Sequence, residues 1–198
     1  WTYRYLRGRG VPLMENWAPY APPGADANTV ADLYGSQTPA PGQTWDVLRL
    51  VRQHWSGPLV VKGILHHEDA KTCVELGADG ILISNHGGRQ LDAAPAPIDV
   101  LPRIADAVGH RTELLIDSGF RRGSDIAKAL CLGAKAAFIG RPIMFGAAAG
   151  GEAGVRKVLD LYRQELGLLM GQMGWTGVGS ASPSNILDLQ DRHGADPA

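Results

Sequence analysis

Gly80-Ile81-Leu82-Ile83-Ser84-Asn85-His86-Gly87-Gly88-Arg89 passes from an unbroken apolar run directly into polar and glycine-rich residues. A strand half-exposed to water alternates apolar and polar side chains. This one does not, so both of its faces are expected to be covered, as in a parallel sheet under helices. Three more short runs have the same character: 59–62 (Leu-Val-Val-Lys), 113–117 (Glu-Leu-Leu-Ile-Asp) and 136–140 (Ala-Ala-Phe-Ile-Gly). Helical patterns lie between them. Residues 69–76 form one that stops at Gly77, and 98–108 form a second. A third, 124–132, is expected to be capped by Ser124 and stopped by Gly133.

Outside this alternation, Thr44 is an expected N-cap for a helix carrying Trp45, Leu48, Val51 and Trp55 at helical spacing up to Gly57. A last helix, from about Glu152 to Met173, places Val155, Leu159, Tyr162, Leu166, Leu169 and Met173 on one stripe. Residues 1–43 are rich in Pro, Ala, Gly and Asn, notably Ala21-Pro22-Pro23-Gly24 and Thr38-Pro39-Ala40-Pro41-Gly42. They are expected to be an irregular lid or linker with at most a short helix around Ala31, leaving 44–198 as the α/β unit.

An internal repeat supports βα winding. Asp69, Leu76, Gly77, Ala78 and Ile83 recur as Asp125, Leu132, Gly133, Ala134 and Ile139. A closed eight-stranded barrel typically takes about 250 residues, more than this chain has. The pattern therefore suits either half of such a barrel or a smaller doubly wound sheet. The chain opens at Trp1, in sequence that reads as mid-protein, and is expected to be a piece of a longer one.

Of the 198 residues, 44% are hydrophobic and 20% charged, with a formal net charge of −1, as in ordinary globular chains. So balanced a charge offers no global field for nucleic acid or an anionic membrane, and neither is expected as a partner. Cys73 and Cys131 fall within helical patterns, where packed, reduced thiols are expected. No signal peptide or membrane-length apolar run is present in the sequence, and a cytoplasmic setting is the default expectation.

In α/β sheets and barrels the chemistry gathers at the C-terminal ends of the strands. Lys62 ends the first run, either to face an anion forming on a bound ring or merely to extend its ammonium to water. His86 and Arg89 follow the second run, with Gly87 and Gly88 between them. A guanidinium grips a carboxylate through two parallel hydrogen bonds, and a neighbouring imidazole can take a proton near neutral pH. The same pair also suits a solvated surface loop. The last two strand ends combine Gly119 and Gly140 with Arg121 and Arg141, the makings of an anion cradle or of glycine turns with solvated arginines. Residues 66–69 (His-His-Glu-Asp) carry metal-ligand types, but consecutive side chains diverge on a helix and its acids suit the first turn, so no metal is expected.

Residues 84–92 (Ser-Asn-His-Gly-Gly-Arg-Gln-Leu-Asp) resemble the signature of the FMN-dependent 2-hydroxy acid dehydrogenases and oxidases, such as glycolate oxidase, lactate oxidase and mandelate dehydrogenase. Lys62, the 117–121 segment and Gly140-Arg141 follow in that family's order. The resemblance covers about residues 44–185. It implies a (β/α)8 TIM-barrel type of α/β fold, with this chain supplying about four C-terminal βα units. The cofactor would be FMN, and the reaction the oxidation of a small-molecule 2-hydroxy acid to the 2-oxo acid.

By the same resemblance, Lys62 would contact flavin N1 and the neighbouring carbonyl, and Ser84 would also touch the flavin. His86 would be the active-site base and Arg89 would bind the substrate carboxylate. Asp117, Ser118, Gly119, Phe120 and Arg121, with Gly140 and Arg141, would hold the ribityl phosphate. Ser118 and Phe120 are most similar to the mandelate-type branch, hinting at an aromatic substrate. The family's first four βα units have no counterpart in this chain. They would come from the same or a separate chain, and the complete enzyme is expected to be a homo-oligomer. Two alternatives stay open: another FMN-dependent barrel oxidoreductase, and a half-barrel fragment without catalytic function.

Overall fold

The computed structural model describes Tyr3, Arg7 and residues 13–37 and 42–187. The expected loop at Thr38-Pro39-Ala40-Pro41 lies outside the described residues. The chain divides into two compact units, residues 1–48 and 49–198.

In the first unit a 3-10 turn, Ala18–Tyr20, precedes helix α1, Ala27–Gln37. This helix is longer than the short one expected around Ala31. Asp26 starts it: its Oδ1 accepts from the Thr29 amide at 2.8 Å and the Thr29 hydroxyl at 2.7 Å. Those hydrogen bonds hold the Asp26 carboxyl below its ordinary range. Val30 is fully buried, and Trp17 meets Tyr34 edge-on with ring centroids 5.3 Å apart.

Helix α2, Trp45–His54, follows Thr44 as expected and leads into the alternating region. That region runs β1 (Val60–Ile64), α3 (His67–Glu75), β2 (Gly80–Ile83), α4 (Pro97–Val108), β3 (Glu113–Ile116), α5 (Gly123–Cys131) and β4 (Ala136–Ala137). All four strands are parallel, in the sheet order β1-β2-β3-β4. Consecutive strands therefore lie side by side with a helical crossover each time, the winding of a (β/α) barrel segment.

The fold class expected from the sequence is thus observed, with one correction. Only β2 and β3 are covered. Val60 on β1 is 45% exposed and Phe138, just past β4, is 49% exposed. Among the described residues these outer strands have a neighbour on one side only, so their apolar character is not matched by burial here. The core sits between β2, β3 and their helices, where Ile81, Ile83, Leu101, Ile104, Val108 and Ile116 are wholly buried.

Several local signals act as the residue types dictate. Gly77 and Gly133, the repeat-related stops of α3 and α5, sit at φ +87° and +106°. That left-handed conformation is nearly free for glycine and closes a helix. The repeat is looser at its end, since Ile83 is in β2 whereas its counterpart Ile139 lies beyond β4. Cys73 and Cys131 are buried, free thiols, and burial together with the Asp69 charge pushes the Cys73 thiol up to about 11. Arg52 of α2 fastens the N-terminal side of the sheet. It donates to the Gly57 and Gly77 carbonyls at 2.7 and 3.0 Å and pairs with Asp79 at 3.0 Å.

One expectation about a helix start is corrected. Ser124 is not the cap of α5. It lies inside the helix, and Asp125 turns back to accept from the Arg121 and Arg122 amides, each at 2.9 Å. A single carboxylate oxygen, Oδ2, takes both amides, and the group carries the charge the helix N-terminus favours. The last helical stretch, α6, covers Arg141–Gln172, and the helix expected from about Glu152 is its second arm, preceded by an arm that was not expected. Gly150 and Gly151 break it into two arms; of the expected apolar stripe on the second, Tyr162 is buried and Val155, Leu166 and Leu169 are partly covered, whereas Leu159 and Met173 are exposed. Among the described residues no helix is long and apolar enough to cross a membrane.

Candidate active site

The parallel sheet brings the ends of β1, β2 and β3 to one side, and the polar residues expected there converge. Gly63 makes the first adjustment. The register runs Lys62 opposite Leu82 and then Ile64 opposite Ile83, so Gly63 is an extra residue at φ +97°. Such a bulge re-aims the side chain beside it. Lys62 Nζ donates to Ser84 Oγ at 2.6 Å and to Asp117 Oδ2 at 2.8 Å, linking all three strand ends.

Ser84 is fully buried, whereas the Lys62 side chain is 43% exposed and that of Asp117 is 20% exposed. The ammonium is therefore held from beneath and open above. Burial alone would push the Asp117 carboxyl up, but hydrogen bonds from Lys62, Ser84 and Ser118, and the Lys62 charge, together bring it below its ordinary range. The ion pair consequently persists through neutral pH, with Asp117 negative.

His86 lies in a tight 3-10 turn, His86–Gly88, just beyond β2. It is one of two non-glycine residues in the left-handed region among those described, at φ 56°; the other is Ser118 at 73°. Asn85 shapes this turn by accepting from the Gly87 amide at 3.0 Å. The His86 amide donates to Ser84 Oγ at 3.1 Å. The imidazole lies against Gly63, where an added Cβ would stand 3.2 Å from Nε2. Gly63 was not singled out by sequence reasoning. A glycine directly after Lys62 was the available signal.

Arg89 follows the turn, exposed and without a hydrogen bond or ion pair to another described residue. Arg141, at the start of α6, donates to the Gly87 carbonyl at 3.2 Å. Gly119 and Gly140 both have open space where a Cβ would project, and Arg121 is exposed beside them. A cavity of about 380 Å³, within the range of ligand sites, is lined by Gly87, Gly88, Ser118, Gly119 and Arg141, with Lys128 also on its wall. The open Gly119 position and the cationic side chains of Lys128 and Arg141 match the chemistry of a phosphate-bearing group. The donor set therefore fits FMN: cations and glycines for its phosphate, an open ammonium for its ring.

Phe120 enters differently from its neighbours. Its side chain is buried, and its carbonyl accepts from the Tyr162 hydroxyl at 2.9 Å. Glu165, one turn further along α6, accepts from the Gly123 amide at 2.8 Å and pairs with Arg122 at 3.1 Å. The second arm of α6 thus braces the 118–123 loop from behind. Tyr162 was read only as part of an apolar stripe and Glu165 was not noticed, because a contact made 42 residues away leaves no local pattern.

The model of the FMN-dependent dehydrogenase family matches residues 9–188. The chain is 50% identical to 2-hydroxyacid oxidase 1 of Mus musculus over 145 residues, 73% of this chain and 39% of the oxidase. It is 44% identical to the pre-mycofactocin synthase of Mycobacterium tuberculosis over 154 residues, 78% of this chain and 39% of the synthase. Among solved structures, a monotopic membrane protein, (S)-mandelate dehydrogenase, superposes with a TM-score of 0.83 and 42% identity, covering 93% of this chain and 48% of that one. The chain thus spans less than half the length of these relatives. With the family model matched across nearly the whole sequence and a parallel βα sheet carrying its motifs at the strand ends, the chain belongs to the FMN-dependent dehydrogenase family.

Proposed function

We propose that this chain forms the cofactor-holding and catalytic face of an enzyme that oxidises a 2-hydroxy acid to the 2-oxo acid. The observation that carries the reading is the meeting of Lys62, Ser84, Asp117 and the His86 turn at the ends of three adjacent strands. FMN, when bound, supplies the acceptor for the two electrons released at the substrate α-carbon.

Each residue then has a task. Arg89 holds the substrate carboxylate through a two-bond fork, which fixes where the α-carbon lies. His86 takes the proton, from the hydroxyl or from the α-carbon, through an imidazole that Gly63 leaves room for. Lys62 presents a cation to the ring edge where negative charge collects, with Ser84 and Asp117 keeping it in place. Gly119, Arg121, Gly140 and Arg141 hold the phosphate, together with the backbone of Ser118 and Phe120. The remaining barrel units, from the same or another chain, would cover β1 and β4, whose outer edges are unpaired within the described residues.

The finer reading is an aromatic, mandelate-like substrate, supported by the Ser118-Gly119-Phe120 segment and the superposition on (S)-mandelate dehydrogenase. The relative named for pre-mycofactocin favours a second reading, an FMN-dependent oxidoreductase acting on a different kind of molecule. Anaerobic stopped-flow reduction of the flavin by mandelate, lactate and glycolate separates them. We expect reduction fastest with mandelate and nearly lost in His86→Gln with FMN retained. Absence of reduction by all three acids would favour the second reading, and undiminished reduction in His86→Gln would remove the base assignment.

A further inference from the structure

Both peptide groups that flank His86 donate to a serine hydroxyl. On the near side the His86 amide reaches Ser84 Oγ at 3.1 Å, and on the far side the Gly87 amide reaches Ser118 Oγ at 3.0 Å. Neither hydroxyl is free to drift. Ser84 Oγ accepts from Lys62 Nζ at 2.6 Å, and Ser118 donates to Asp117 Oδ1 at 2.7 Å. Lys62 and Asp117 close the path with their 2.8 Å ion pair. The result is a closed circuit: Lys62, Ser84, the His86–Gly87 backbone, Ser118, Asp117 and back to Lys62.

The backbone conformations explain why such a circuit is needed. His86 at φ 56° and Ser118 at φ 73° both occupy the left-handed region that L side chains rarely adopt. A residue stays there only when its surroundings over-determine it. Ser84 fixes the peptide before His86, and Ser118 shares with Asn85 Oδ1, also at 3.0 Å, the amide of the one after, so these bonds bracket the dihedrals that aim the imidazole. Ser118 is also more than 30 residues away from the turn it holds, so the link is tertiary rather than part of the loop's own fold.

We propose that Ser118 is a positioning residue for His86, its hydroxyl tying the His86–Gly87 turn to the Lys62–Asp117 ion pair. This goes beyond the phosphate-loop role that the family resemblance implies for Ser118, and it rests on the reading of His86 as the base. The coupling has a chemical consequence. The cation that faces the cofactor ring and the imidazole that faces the substrate share one hydrogen-bonded frame, so their separation is set before either ligand arrives.

The test uses the complete FMN-loaded enzyme with Ser118→Ala and Ser118→Gly, the second of which also relieves the left-handed strain and guards against failure to fold. Three quantities are measured: hydrogen exchange at the Gly87 amide in the FMN-stripped protein, the FMN dissociation constant, and the anaerobic rate of flavin reduction. We expect Gly87 exchange to accelerate about three- to tenfold, Asn85 Oδ1 still accepting from that amide, FMN affinity to stay within about threefold, and reduction to slow by about ten- to a hundredfold in both variants. Wild-type Gly87 exchange, or a large loss of FMN affinity with reduction of bound flavin unchanged, would overturn the proposal. His86→Gln measured alongside separates the two ideas. If it alone keeps near wild-type reduction, the base assignment fails, whereas unaltered Gly87 exchange in both Ser118 variants defeats the positioning role itself.

Discussion

Replacing Gly123 with alanine should be among the most damaging single-methyl changes in this chain. Gly123 opens α5 and is buried against the second arm of α6. A Cβ added there would stand 2.4 Å from the Leu166 amide nitrogen and 2.7 Å from Glu165 Cβ. Ordinary carbon contacts begin near 3.5 Å, so the two helix backbones must part by about 1 Å. Overpacking of this kind typically costs about 1–3 kcal/mol. The same separation stretches the Gly123 amide to Glu165 bond, now 2.8 Å, and the Tyr162 to Phe120 bond, now 2.9 Å. Each such bond contributes about 1 kcal/mol. The sum is about 3–5 kcal/mol, or on the order of 10 °C in Tm for a chain of this size. Gly167→Ala is the internal control. It lies on α6 with nothing within 4 Å of the added methyl, and alanine should stabilise that helix by about 0.5–1 kcal/mol. Urea unfolding followed by tryptophan fluorescence measures both. A Gly123→Ala midpoint equal to wild type, or one raised like that of Gly167→Ala, would refute the close helix contact from which the figure is built.

Tyr162→Phe should cost about 1–2 kcal/mol by leaving the Phe120 carbonyl without its buried donor, and should loosen FMN without changing the reduction rate of flavin that remains bound; calorimetry and flavin titration check the two halves. Asp117 contributes to stability through a carboxyl held below its ordinary range, so its contribution is present above the unfolded pKa of about 3.9 and is lost as pH falls through the lower folded value. Asp117→Asn should therefore reduce Tm at pH 7 and narrow its gap from wild type toward pH 3, and a pH-independent gap would contradict this. Cys73 and Cys131 should resist a thiol reagent at pH 8 in the native protein and react fully in denaturant, since both are buried and Cys73 ionises only near 11; rapid native labelling of either would count against the packing described.

The amino-acid sequence by itself determined those features whose cause is local. Apolar runs without polar alternation placed the four strands to within a few residues, and Gly77 and Gly133 ended their helices because only glycine adopts φ near +90° cheaply. The motif residues Lys62, His86, Arg89, Asp117 and Arg141 were visible because strand ends are where such side chains gather. Where a local rule had a competitor, it misled. Ser124 looked like a cap, but Asp125 takes the amides just before the helix, and the outer strands looked buried although β1 and β4 have no second neighbour in the sheet among the described residues. Only the tertiary structure decided what the motif residues do to one another. Lys62 meets Ser84 across 22 residues and Asp117 across 55, Ser118 meets the His86 turn across 31, and Tyr162 reaches Phe120 across 42. No periodicity encodes such pairs, because their partners are chosen by parallel register and helix packing, which exist only once the βα units have stacked side by side.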